Sequence, residues 1–305
     1  MSGIVATQAN QLREFMRQHN QRSGRVLAVT SGKGGVGKTN TSVNLAIALA
    51  QRGARVAVLD ADLGLANVEV LLGLNSLYNL QHVVTGEKRM LDILVTGPGG
   101  IQVVPGSSGI ARFADLGPTA RQNVLAGLEE LQQSCDFIII DTMAGIGQNV
   151  VGFAAAADEV LLVTTPEPSS IVDAYAMIKT IFIQRPDAVF RLIINQALNE
   201  QQGKAVAQKI MHVAQQFLGH SLSYLGYVPR DPHVQQAVMQ SHPFVMRFTS
   251  APATKCIHDI AARLHAQQVD TGGNRPGFFR RIAENLGLAP VAAMPVISVR
   301  CWYCR

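Results

Sequence analysis

The densest chemistry in the chain lies in Gly32-Lys33-Gly34-Gly35-Val36-Gly37-Lys38-Thr39. This run fits GxxxxGK[ST], a loop whose backbone N–H groups close around phosphate oxygens. Glycines let the main chain approach an anion, and the N-terminus of the helix that follows adds partial positive charge. Lys38 is placed to neutralise the β- and γ-phosphates of a nucleotide, and the Thr39 hydroxyl to bind Mg²⁺. Gly34, Gly35, Val36, Gly37, Lys38, Thr39 and Asn40 are therefore the expected nucleotide-binding positions. Lys33 is an extra cation, one more than a single triphosphate cradle needs.

Carboxylates stand further along. Phe137-Ile138-Ile139-Ile140-Asp141 is an apolar run ending in an acid, the form in which a carboxylate holds a Mg²⁺-bound water. Asp60 and Asp62 follow another apolar run, at Arg55–Leu59. Strand ends beside a phosphate loop are where open α/β sheets bind ligands. Acids there can order metal-bound water and the attacking water. The eight His show no HExxH and no other metal spacing. Cys301 and Cys304 form a lone CxxC, and a metal site would want a second pair of ligands.

These residues need elements to hold them. Candidate strands are Val26–Thr30, Arg55–Leu59, Ile101–Val104, Phe137–Ile140, Val160–Thr164, Phe190–Ile194 and Tyr224–Val228. Several are continuous apolar runs, the mark of strands buried on both faces of a parallel sheet. Helix-length patterns at Thr39–Gln51, Thr119–Gln133 and Ser169–Ile183 separate them. The alternation predicts an α/β fold with a doubly wound, mostly parallel sheet. Cys135, just before a strand, and Cys256, in a helical pattern, read as small core residues.

Hydrophobic types make up 48% of the 305 residues and charged types only 15%, which excludes intrinsic disorder. The net charge of +5 sits at the ends. Arg13, Arg17, Arg22 and Arg25 against Glu14 give residues 1–25 a charge of +3. Arg275, Arg280, Arg281, Arg300 and Arg305 against Glu284 give residues 271–305 a charge of +4. The body is left at −2, so no specific nucleic-acid partner is expected. No apolar run reaches the ~18 residues of a membrane span, and no signal-peptide core is present. A cytoplasmic protein with reduced thiols is the simplest expectation.

Each end carries an amphipathic segment. Gln8–His19 puts Leu12, Phe15 and Met16 on one side. At the other end, Asp270–Gly277 reads as a flexible linker before a short helix. At ~100° per residue, Phe278, Phe279, Ile282, Ala283 and Leu286 share one side of that helix. Arg280, Arg281, Glu284 and Asn285 share the other. Phe on one face and Arg on the other suit an interfacial helix on an anionic membrane surface. Docking of the same stripe on the protein's own body is the competing reading. We divide the chain into an N-terminal element and link (1–24), an α/β domain carrying the phosphate loop (25–269), a linker (270–277), the amphipathic helix (278–288) and a tail (289–305).

With Lys33 beside its first glycine, the loop resembles the deviant P-loop of the MinD/ParA family of ATPases. The resemblance covers residues 24–265. It implies ATP/ADP and Mg²⁺ as cofactors and a homodimer formed with ATP, in which Lys33 reaches the partner's nucleotide. It makes Asp60 a residue that holds Mg²⁺ through water, and Asp62 the one that positions or activates the attacking water. Thr39 and Asp141 complete the implied metal set. Thr142-Met143-Ala144-Gly145-Ile146-Gly147 resembles the family's γ-phosphate-sensing switch. Asn195 matches its adenine-contacting Asn, and Pro229 and Asp231 match the loop beside the base.

Several stretches are closer to the flagellar-number branch of that family. They are Asp60–Val68, Gly97–Ile101 with Val104-Pro105-Gly106, Asp141–Gly147 and Glu167–Ala176. That branch often begins with a DQAxxLR element that stimulates a flagellar GTPase of the signal-recognition type (FlhF). Here Thr7-Gln8-Ala9-Asn10-Gln11-Leu12-Arg13 keeps QAxxLR, with Thr7 in place of Asp. The resemblance makes Gln8, Leu12 and Arg13 contacts for the GTPase, with a flagellar transcription regulator as a further partner. It makes Phe278, Phe279, Arg280, Arg281, Ile282 and Leu286 contacts for the membrane. It implies slow hydrolysis and a place on the inner face of the cell membrane, with the cell pole as a candidate. A division-site regulator, a DNA-partition ATPase, an iron–sulfur carrier using the CxxC, and a non-hydrolysing scaffold are the alternatives.

Overall fold

A computed structural model describes residues 23–61, 67–106 and 116–266, together with Phe278, Arg281 and Ile282. Gln8, Leu12, Arg13, Asp62, Phe279, Arg280, Leu286 and the Cys301–Cys304 pair lie outside the described residues. The elements alternate as the sequence pattern predicts. β1 (Arg25–Ser31) leads into α1 (Lys38–Ala50), then β2 (Val56–Ala61), α2 (Asn67–Leu72) and α3 (Leu80–Val84). Next come β3 (Val95–Thr96), β4 (Gln102–Val104), α4 (Pro118–Ser134), β5 (Phe137–Ala144) and α5 (Gln148–Ala156). The chain continues through β6 (Glu159–Thr164), α6 (Pro168–Gln184), β7 (Phe190–Ala197), α7 (Glu200–Leu218) and β8 (Ser223–Pro229). It closes with α8 (Pro232–Met239), α9 (Phe244–Arg247) and α10 (Pro252–Ala266).

The strands form one eight-stranded sheet in the order β3-β4-β2-β5-β1-β6-β7-β8. Every neighbouring pair is parallel except β3 with β4. β1 is fully buried along its length because both faces are covered. Val26 and Ala28 join the layer under α4, α5, α6 and α7. Leu27 and Val29 join the layer under α1, α2, α8, α9 and α10. An apolar strand without alternation can only be satisfied in this way.

Three strands differ from the sequence expectation, and one of them, β7, runs three residues past Ile194 to Ala197. β5 runs on past Asp141 to Ala144, because Ala144 still pairs with Ser31 across a register shift. β3, two residues long and antiparallel, was not expected, since two residues cannot display a period.

A buried ion triad ties the strand starts together. Glu159 is completely buried and pairs with Arg25 of β1 and Arg191 of β7. Arg25 also donates to the Leu264 carbonyl at the end of α10 (2.8 Å). Cys135 is buried and Cys256 half-buried, and burial is the main cause pushing both thiols up. Both stay protonated at neutral pH, in keeping with packing roles.

Candidate nucleotide site

The P-loop bridges β1 and α1 at the carboxyl edge of the sheet. Its shape depends on glycine at specific points. Gly37 has a φ of 92°, and a Cβ there would lie 2.3 Å from Asn195 Nδ2. At Gly32 a Cβ would lie 2.1 Å from the Asp173 carbonyl oxygen on α6. Any side chain at either place displaces a neighbour. Ser31 Oγ donates to the Lys33 carbonyl (2.7 Å), and Gly145 N donates to the Ser31 carbonyl (3.0 Å), which fixes the loop's entrance.

The loop opens into a cavity of about 500 Å³. Gly34, Gly35, Gly37, Lys38, Thr39 and Asn40 form its floor, with Asn67, Val70, Val238 and Ser241 on its sides. That volume falls within the ~300–1,000 Å³ of small-molecule sites. Val36 lies beneath, 3% exposed, and serves the site through its backbone.

On the floor, Thr39 Oγ1 donates to Asp141 Oδ2 (2.6 Å). Ser42 Oγ donates to Asp141 Oδ1 (2.8 Å). Asp60 and Asp141 are register partners on β2 and β5, so the two acids stand side by side. Asp60 Oδ2 accepts from Val68 N (3.1 Å), which links the acid to the first turn of α2. Two carboxylates and a hydroxyl at a helix N-terminus form a hard-oxygen donor set, the kind Mg²⁺ takes together with water and phosphate. These residues fit the ion.

Lys33 takes a position that its sequence did not reveal. Its Nζ is 2.6 Å from Glu167 Oε2 and 3.0 Å from Ser169 Oγ, both in its own chain. The two side chains are 37% and 63% exposed, and exposed pairs contribute about 0–1 kcal/mol. The contact is cheap to break.

Asn195 lies against the loop, and Pro229 and Asp231 follow at the end of the neighbouring strand β8, but the Asn195 amide nitrogen and the Asp231 carboxylate are already in use. Asn195 Nδ2 donates to the Val36 carbonyl (2.7 Å), clamping the P-loop to the end of β7. The strand's pairing with β8 breaks between Asn195 and Ala197, where Gln196 has a φ of 57°. Left-handed non-glycine residues cost energy and cluster at functional sites. Asp231 Oδ1 caps α8 through His233 N (3.0 Å), and Oδ2 accepts from Ala253 N (3.1 Å). Burial alone would raise the Asp231 carboxyl, but these bonds and the His233 ring outweigh it and hold it below the usual range. Asp231 therefore shapes the loop after β8 with its carboxylate turned into the protein.

Sequence reasoning missed the cavity sides at Asn67, Val70, Val238 and Ser241, and three residues bonded to the predicted site, Ser42, Glu167 and Ser169. Ser42 carries a readable signal, since i and i+3 share a helix face with Thr39. Glu167 and Ser169 carry none, because nothing local says that Lys33 lies near them.

The described residues of the C-terminal segment, Phe278, Arg281 and Ile282, lie on the body. Phe278 is 1% exposed and Ile282 3%, both in the core layer that lies under α4, α5, α6 and α7. Arg281 Nη2 donates to Asp158 Oδ1 (2.7 Å), and its Nε to the Ala156 carbonyl (2.7 Å). Phe278 and Ile282, two residues of the stripe read as lipid-facing, are here closed against the protein. No helix among the described residues is long and apolar enough to cross a membrane, and none of their His, Cys, Asp and Glu form a metal-binding group of three.

Comparison with known proteins agrees with this site. A family model described as the NUBPL iron-transfer P-loop NTPase (ParA) matches residues 22–265. The chain is 43% identical to the antiactivator FleN of Pseudomonas aeruginosa, over 81% of this chain and 86% of that one. It is 34% identical to the flagellum site-determining protein YlxH of Helicobacter pylori, over 88% and 92% of the two chains. Among solved structures, the MinC:MinD cell division complex of Aquifex aeolicus superposes with a TM-score of 0.65 at 28% identity, covering 83% of this chain and 100% of that one. With the phosphate loop, its paired lysines and the hydroxyl-bound acid of β5 in place, the chain belongs to the MinD/ParA family of P-loop ATPases.

Proposed function

We propose that this protein is a MinD-like ATPase that regulates flagellar number or placement, switched by ATP between two forms. One observation carries the enzymatic part: a phosphate loop opens into a nucleotide-sized cavity whose floor residue Thr39 donates to the buried Asp141 beneath it. The flagellar part is supported by the similarity to FleN and YlxH.

In this reading the backbone N–H groups of Gly34–Lys38 cradle the phosphates, and Lys38 neutralises them. Thr39, Asp60 and Asp141 would hold Mg²⁺, which when bound would supply charge neutralisation for the phosphates. Asp62 positions the attacking water. Asn195 and Pro229 flank the base while Asn195 steadies the loop. Lys33 leaves Glu167 and Ser169 to reach the nucleotide of a second copy, giving an ATP-dependent homodimer. Slow hydrolysis resets it.

The two ends couple this switch to partners. The QAxxLR element with Gln8, Leu12 and Arg13 would act on a signal-recognition-type GTPase, with a flagellar transcription regulator as a further target. The C-terminal helix would bind the inner face of the cell membrane, at the pole or elsewhere. Its apolar face serves the body in one state and lipid in the other. Burial of Phe278 and Ile282 is worth ~1.5–3 kcal/mol each, so one helix binds reversibly to either surface. Two helices held on a dimer gain by effective concentration.

Asp62→Ala tests the enzyme assignment. The variant should bind ATP, hydrolyse it poorly and accumulate as a dimer in light scattering; unchanged turnover removes Asp62 from the mechanism. Pulldown with the partner GTPase, using the full chain and an Arg13→Ala variant, tests the flagellar assignment. Equal capture by both would contradict the role of the N-terminal element.

A further inference from the structure

We propose that Ser42 is a positioning residue for the Asp141 carboxylate, and that it sets the Mg²⁺ concentration at which the site takes nucleotide. The proposal rests on the Mg²⁺ reading of the Thr39–Asp141 pair and extends it to a residue outside the phosphate loop.

Ser42 is completely buried on α1, one turn beyond Thr39. Residues three apart on a helix share a face, so one rigid element presents both hydroxyls to β5. Each donates to a different carboxylate oxygen: Thr39 to Oδ2 at 2.6 Å and Ser42 to Oδ1 at 2.8 Å. The terminal torsion of an aspartate is broad and soft, so a single donor leaves its plane free to turn. Two donors on different oxygens fix it. Because both donors stand on the helix that begins with Lys38, the acid is located relative to the phosphate cradle and not merely to its own strand.

A plainer account exists. Serines inside helices often bond back to the i−4 carbonyl. Ser42 Oγ is indeed 3.0 Å from the Lys38 carbonyl oxygen. A hydroxyl has one proton, and the two acceptors compete for it. The ionised acceptor forms the stronger bond, and its distance here is the shorter. The two accounts differ in what removal of the hydroxyl would do. Loss of a helix back-bond is blind to the metal. Loss of the donor to Asp141 leaves Oδ1 buried without that partner and lets the carboxylate turn away from the geometry Mg²⁺ requires.

Ser42→Ala decides between them, since it removes one oxygen and adds no volume. Binding of a fluorescent ATP analogue is measured in EDTA and across a Mg²⁺ titration. The expected result is unchanged affinity in EDTA and a Mg²⁺ midpoint raised about tenfold, the equivalent of about 1.4 kcal/mol. Ser42→Cys, of similar volume and with a weaker donor, should move the midpoint in the same direction by less. An unchanged midpoint in Ser42→Ala overturns the proposal. So does an equal loss of affinity in EDTA and in Mg²⁺, which would make Ser42 a support of the helix. Asp141→Asn provides the separate arm: if its Mg²⁺ dependence matches that of the parent, the metal reading itself is wrong, whatever Ser42 does.

Discussion

Asp158 is where docking of the C-terminal segment can be weakened from the body's side, without touching a residue proposed to meet lipid. Its Oδ1 accepts from Arg281 Nη2 (2.7 Å) and its Oδ2 from Val26 N (2.8 Å). Asp158→Asn keeps an oxygen for Val26 N and turns an amide NH₂ toward the guanidinium, setting donor against donor. The Arg281 and Asp158 side chains are only 15% and 20% exposed, so solvent screens the pair little. A hydrogen bond to a charged group is worth about 1.5–3 kcal/mol. Loss of about 2 kcal/mol raises the undocked fraction about thirtyfold. Phe278, Ile282 and the bond from Arg281 to Ala156 still favour docking, so the segment loosens without detaching fully. Sedimentation with anionic vesicles in the absence of nucleotide should rise clearly above the parent. Deletion of residues 278–288 in the same variant should return it to baseline. Faster hydrogen exchange at 278–282 with unchanged sedimentation would refute the membrane role of this segment. Unchanged exchange would refute the latch role of the ion pair.

Three other outcomes follow from the geometry. Glu167→Gln removes the charge that holds Lys33 in its own chain; with an exposed pair worth at most about 1 kcal/mol, the ATP-dependent dimer should strengthen by up to about fivefold in light scattering, and a weaker dimer would contradict the parked state. Glu159→Ala leaves Arg25 and Arg191 as facing buried cations and should cost about 3–5 kcal/mol in denaturant unfolding; a loss under about 1 kcal/mol would show that the triad is not a structural tie. The Tyr224 hydroxyl is buried without a partner, and burial, the main cause, pushes its ionisation up to about 12 from the ordinary 10.0. The fold thus favours the protonated phenol, so this group's contribution is intact below pH 10 and is lost as pH rises toward 12. Tyr224→Phe should change stability at pH 7 by only about 0–1 kcal/mol and flatten the alkaline fall; an unaltered alkaline profile would exclude Tyr224 as its source.

The site was legible where one residue type in one place had one physical use. Gly35 and Gly37 hold left-handed φ values of 75° and 92°, and the loop stands between a buried strand and a helix, as the motif requires. β1, β2, β5, β6 and β7 were visible because burial on both faces leaves an uninterrupted apolar run. Pairing was not visible. Both Asp60 and Asp141 end apolar runs, but only the sheet order makes them neighbours. Asn195 shows the same gap from the other side. The resemblance gives Asn195 a role at the base, and only the structure adds that its amide holds the Val36 carbonyl, 159 residues away in sequence. Lys33 read as an outward-reaching cation, and Glu167 at the start of α6 meets it. Contacts of this kind depend on which strands lie side by side, which local pattern does not encode.

The C-terminal segment marks a different limit. A helical wheel reports that a stripe is apolar; it does not say which apolar surface the stripe covers. The hydrophobic contribution is nearly the same for lipid and for a protein groove, because it depends on area removed from water and has no direction. What separates the two destinations is polar. Arg281 on the opposite side of the wheel finds Asp158 and the Ala156 carbonyl on the body, and it would find phosphate on an anionic membrane. Burial of Phe278 and Ile282 makes a docked or inserted helix favourable at all, and the partner of one guanidinium biases which. A device balanced in this way responds to changes of a few kcal/mol. Doubling the number of tails on a dimer supplies a change of that size through effective concentration. The stripe that ambiguously fits two surfaces is, on this argument, the property a reversible membrane switch needs: a more apolar helix would stay on lipid, and a better-matched groove would never release it.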